Sequence, residues 1–109
     1  MEYWDLMSID VQPHHPVVLT SGRGAARSIV LQLPAGEALD DHEVHERAHL
    51  TVLDGEVEIE GEAGTASGGH GFFAVFEPHE RHEVRARSDA RLLLVLAPWP
   101  GEGHPGARD

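Results

Sequence analysis

The stretch "HLTVLDGEVEIEGE", residues 49–62, decides the fold. Val57 and Ile59 alternate with Glu56, Glu58 and Glu60, the period-two pattern of a strand with one dry and one wet face. Leu50–Leu53 are mostly β-formers, and Asp54-Gly55 suits a tight hairpin turn between the two runs. A competing signal overlaps the start. His45-Glu46-Arg47-Ala48-His49 spells H-E-x-x-H, which on a helix would set two zinc ligands and a general base on one face. Gly55 would end such a helix within two turns of His49, and a helix that short is not held without packing. The strand reading prevails over a zinc protease.

Upstream, "RSIVLQL" puts Ile29, Leu31 and Leu33 on one strand face, and "PAGEALDD" reads as a turn-rich connector. Downstream, "GTASGGHG" reads as a loop and "FFAVF" as an apolar strand. In "HEVRAR", His82, Val84 and Ala86 alternate with charged residues, and "RLLLVLA" reads as a strand buried on both sides. Many short strands separated by turn signals predict an all-β barrel or sandwich. The expected organisation is an N-terminal segment, residues 1–26, packing on or exchanging with the barrel; the barrel itself, 27–97; and an irregular tail, 98–109.

Composition narrows the partners. The net charge is −11, and all eight cations are scattered arginines. That opposes nucleic acid and anionic membranes, both of which need clustered cations. Without cysteine there is no thiol catalysis and no Cys-type zinc site. "MEYWDLMSID" lacks the regions of a signal peptide, and the apolar run Leu92–Ala97 is too short to span a bilayer, so a cytoplasmic protein is expected. Nine histidines are the compositional outlier. His14, His15, His70 and His104 sit among Pro and Gly and read as surface residues. His42, His45, His49, His79 and His82 do not fit that reading as well.

Read as β-structure, the region resembles the cupin superfamily, small β-barrels of the jelly-roll type. Gly36, His42 and Gly55 match the first family motif, and Gly71 and His82 match the second. The resemblance covers residues 29–97. It departs where the family's second His falls on Val44 and its Glu on Ala48, with His45 and His49 each one residue later. In the second motif Glu77 replaces the Pro, His79 the Gly and Ala86 the Asn.

Strand parity weighs those departures. One regular strand over residues 42–53 would put His42, Val44, Glu46, Ala48, Leu50 and Val52 on the drier face, the lumen side, with His45 and His49 on the other. A bulge or a persisting loop would re-aim His45 inward. The candidate metal ligands are therefore His42, His45, His82 and His49. His79 reads as a turn residue, and Glu46 as a ligand, a base or, more simply, a solvated glutamate. Arg85, Arg87 and Arg91 read as a solvated, salt-bridged face. Ile29, Leu31, Phe72, Phe76, Val84 and Leu94 are the expected pocket wall, and Trp99 is expected to cover a barrel end or meet a second subunit.

The resemblance implies a divalent transition metal (Fe, Mn, Zn, Ni or Cu), a small organic ligand or substrate, and a homodimer. The chemistry implied is that of a dioxygenase, isomerase, cyclase or lyase. The alternative is a non-catalytic module that binds or senses a small ligand, with a degraded or absent metal site. One fold hosts many functions, so fold alone does not choose between them.

Overall fold

A computed structural model gives residues 1–42 and 44–104, and of residues 40–42 the backbone alone. All regular structure among the described residues is β-strand. The strands are β1 Val17–Ser21, β2 Ala25–Leu33, β3 Ala38–His42, β4 Arg47–Asp54, β5 Val57–Gly61, β6 Gly64–Gly68, β7 Phe73–Phe76, β8 His82–Ala86 and β9 Ala90–Trp99. They form a five-stranded sheet, β1-β2-β9-β4-β7, and a four-stranded sheet, β3-β8-β5-β6.

The alternation of residues 57–61 is realised: Val57 and Ile59 are buried while Glu60 is exposed. The expected hairpin is not. β4 pairs with β7 and β9, whereas β5 pairs with β6 and β8. Asp54-Gly55 is thus a corner that carries the chain from one sheet to the other. Gly55 has φ +80°, a region that glycine enters without steric cost. The β8–β9 corner packs against it: Arg87 N–H donates to Glu56 O at 2.8 Å, and Glu56 N–H donates to Ser88 Oγ at 3.0 Å. A local turn signal fixes the reversal of the chain but not the partner of the next strand.

Inward residues of both sheets meet in one core. Leu50, Val52 and Leu92 from the larger sheet pack with Val57, Ile59 and Val84 from the smaller. The expected wall residues Ile29, Leu31, Phe72, Phe76, Val84 and Leu94 all belong to this core or pack on it. Three strands lie in segments that read as irregular. β1 falls within the N-terminal segment, β3 overlaps the connector and runs one residue past it, and β6 falls within the "GTASGGHG" loop. β6 is a mostly exposed edge strand that, among the described residues, pairs on β5 alone, so it carries little hydrophobic pattern to read. At the other end, β9 runs two residues into the expected tail and includes Pro98 and Trp99.

Arg91 is not part of a solvated face. Its Nη1 donates to Leu6 O at 3.0 Å and Ile9 O at 2.9 Å, and its Nε donates to Gln32 Oε1 at 3.0 Å. This guanidinium anchors the N-terminal segment to the β2–β9 pair, where Val11 is buried. Hydrogen bonds to charged donors contribute about 1.5–3 kcal/mol each when they are well shielded, and these are partly so. Arg91→Ala is expected to lose about 1–3 kcal/mol. Amide exchange should rise over residues 5–12 and stay unchanged in β4. Arg85 and Arg87 do make surface ion pairs, with Glu83 and Glu58.

Candidate functional site

Residues 42–53 do not form one strand. β3 ends at His42 and β4 begins at Arg47, with Val44–Glu46 between them outside either strand. Two bends result. The register of β3 on β8 shifts between Leu39↔Val84 and His42↔His82, so β3 carries one extra residue. That bulge sets residue 42, rather than residue 41, opposite His82. The side chain of His42 lies outside the described residues.

From residue 46 onward the side chains alternate as strand parity predicts. Glu46, Ala48, Leu50 and Val52 are buried, while Arg47 is exposed and His49 half-buried. Glu46 itself corrects an expectation. It is 2% exposed rather than solvated, and its Oε2 accepts the Gly101 N–H at 2.6 Å. The bond ties the chain after β9 to the segment before β4. Gly101 fits there because it has no side chain: a Cβ would lie 2.1 Å from His45 O.

His82 is the other buried polar side chain among the described residues, at 5% exposure. It shares the inward face of β8 with Val84 and Ala86. Its ring stacks on Phe76, with centroids 3.8 Å apart and planes 6° from parallel. His82 Nδ1 lies 3.1 Å from Glu80 O. A carbonyl oxygen only accepts, so Nδ1 carries the hydrogen; in a neutral ring that leaves Nε2 as the acceptor nitrogen. That tautomer, held by a backbone carbonyl, is the one that suits a histidine ligating a metal through Nε2.

His45 and His49 go elsewhere. With Arg47 they line a cleft of about 900 Å³ that also involves His79, Pro98 and Gly101. His49 pairs across the sheet with Val75 and stacks on Phe73, at 6.1 Å between centroids. His45 packs edge-on against His79 at 5.0 Å and against His104 at 5.6 Å. Arg47 is held at the cleft by Glu77, at 3.2 Å. Two residues of this group were not among the candidate ligands. His79 lies in the β7–β8 turn with φ +67°, and its N–H donates to Val44 O at 2.7 Å. His104 reads as a tail histidine, yet its ring also meets Trp99, at 4.7 Å. Trp99 in turn packs on the core and lies under the Arg27 guanidinium, 4.8 Å from the ring centroid.

The metal that the resemblance implies can be tested against these donors. His82 fits by tautomer and burial. The Glu46 carboxyl already accepts Gly101 N–H, and His49 lies on the outer face. Among the described residues no group of three His, Asp or Glu side chains is arranged to hold a metal ion.

No family model matches the sequence. Solved structures do resemble the fold. An RmlC-like cupin protein from Desulfovibrio desulfuricans superposes with a TM-score of 0.78 at 22% identity, covering 90% of this chain and 97% of that one. The cupin domain of Cnp3 from Schizosaccharomyces pombe gives 0.76 at 17% identity, covering 85% and 66%. The DMSP lyase DddQ from Ruegeria pomeroyi gives 0.68 at 18% identity, covering 74% of this chain and 45% of that one. At these identities the likeness is one of fold.

Proposed function

We propose that this chain, which has the cupin fold, binds a divalent transition metal at His82 and His42 and presents it to a small organic molecule. The carrying observation is His82, buried and stacked on Phe76, with Nδ1–H directed to Glu80 O. The β3 bulge supports His42 as its partner, because residue 42 occupies the register position opposite. Such an ion would supply Lewis-acid or oxygen-activating chemistry. The protein's own part is to fix the His82 ring between Phe76 and the Glu80 carbonyl, and to surround it with Phe76 and Val84, which favour an apolar ligand. A lyase among the structural relatives agrees with chemistry on a small substrate.

The test is metal content per chain in untagged protein supplied with Fe, Mn, Zn, Ni or Cu. His82→Ala and His42→Ala should each lower the stoichiometry by one ion per chain relative to wild type. Unchanged stoichiometry in both folded variants would sink the reading. A second reading, a binding module without catalysis, draws on Glu46. The Glu46 carboxyl holds Gly101 N–H and so serves the backbone rather than a substrate proton. Metal-loaded protein that binds small carbonyl compounds without turning them over, under air or nitrogen, would favour this second reading.

A further inference from the structure

We infer that small uncharged molecules reach His82 through the side of the barrel, by a slot between the outer edges of β6 and β7, with Phe76 as its gate. This extends the reading of His82 as the reactive centre and rests on it. β6 and β7 end their sheets, and neither edge has a second strand partner among the described residues. A slot of about 210 Å³ opens between them. Its floor is Ile59 and Phe76, both buried core residues, and its sides include Gly61, Ala66 and Ala74.

The observation that marks the wall as open is Ala66. It pairs with Ile59, and directly opposed residues of an antiparallel pair point to the same face. Ile59 points inward at 5% exposure, yet Ala66, on that same face, is exposed. An inward-facing side chain that meets solvent marks a gap in the barrel. Small residues keep the gap clear. Ala74, paired with the buried Leu50, stands across from Ala66 on β7. Gly61 pairs with His82, and a Cβ there would lie 3.9 Å from His82 Cβ.

Behind the floor lies His82. The Phe76 ring stacks on it with centroids 3.8 Å apart, so one ring thickness separates the slot from the imidazole. A molecule in the slot meets His82 when Phe76 changes rotamer. The lining decides what enters. Its volume is below the roughly 300–1,000 Å³ of sites for drug-sized ligands, which selects compact molecules. Apolar walls disfavour any charge taken out of water. Glu80, the charged residue of the lining, adds repulsion against anions. Its position is fixed from both ends: Glu80 Oε1 accepts Glu77 N–H at 3.0 Å, and its carbonyl holds His82 Nδ1–H. The class selected is a compact, uncharged, largely apolar molecule.

The test uses the full metal-free chain, titrated with butanone or with butanoate, and ¹H–¹³C spectra of methyl groups and rings. Butanone should shift Ile59, Ala66, Ala74, Phe76 and the His82 ring, and butanoate should bind at least tenfold more weakly. Ala66→Leu fills the slot. Ser67→Leu, one residue on and therefore on the opposite face, is its control. Ala66→Leu should weaken butanone binding at least tenfold and Ser67→Leu by no more than about twofold, with both melting curves close to wild type. Butanoate bound as well as butanone, unchanged affinity in Ala66→Leu, or shifts that stop short of the His82 ring would each overturn the inference. Metal content separates it from the preceding reading, because Ala66→Leu should take up as much metal as wild type. Metal uptake unchanged in His82→Ala and His42→Ala, with butanone still reaching His82 in wild type, would remove that reading and leave the route standing.

Discussion

Gly55→Ala is expected to destabilise the protein by roughly 3–5 kcal/mol, the range reserved for a few named mechanisms. Two of them act together here. The left-handed backbone at φ +80° strains any residue with a Cβ, by about 1–3 kcal/mol. That Cβ would also stand 2.2 Å from Asp89 O and 2.8 Å from Ala90 Cα. Those atoms are backbone at the opposing corner, so no side chain can turn aside. Relief requires the β4–β5 and β8–β9 corners to separate, which disturbs Val52, Val57 and Leu92 in the core. Urea denaturation should show a lower midpoint with an unchanged slope if the loss is one of native stability. A loss under 1 kcal/mol would mean that the two corners are not coupled as described.

Gly101→Ala should produce an effect nearly as large, but a local one. Its Cβ would meet His45 O at 2.1 Å and Glu46 N at 2.9 Å. The segment after β9 would have to lift, and Glu46 would lose the Gly101 N–H. Leaving a buried polar group without its partner costs about 1–3 kcal/mol, and more for a charged one. The total is expected at about 2–4 kcal/mol. Residue 101 lies beyond the last strand, so the barrel has no need to open with it. Amide exchange should rise at 101–104 and 44–46 while β4 and β9 stay protected. The edge-on contact of His104 with His45 should disappear from imidazole spectra. Uniform loss of protection across both sheets would contradict this division between strap and barrel.

The alternation of Val57 and Ile59 with glutamates was sufficient to specify a half-buried strand, because burial of alternate side chains is a local property of the backbone. The same parity marked Ala48, Leu50 and Val52 as inward. Gly36, His42, Gly55, Gly71 and His82 sufficed for the fold, since they mark corners and register positions that recur in it. Glu46 shows where the reading stopped. The parity gave its face, but a glutamate on a dry face is accommodated only when something remote meets it, and Gly101 lies 55 residues away in sequence.

"HLTVLDGEVEIEGE" divides along the same line. Its residues determined two strands, their faces and the reversal at Asp54-Gly55. Tertiary structure decided that the reversal joins two sheets instead of closing a hairpin. The physical reason is that pairing depends on which edges lie open: β4 is flanked by β7 and β9, and β5 by β6 and β8. The histidines follow suit. Their number and the position of His82 were legible in the sequence. That His45 packs against His79 and His104 was decided by the break after β3 and by the segment that Gly101 pins across it.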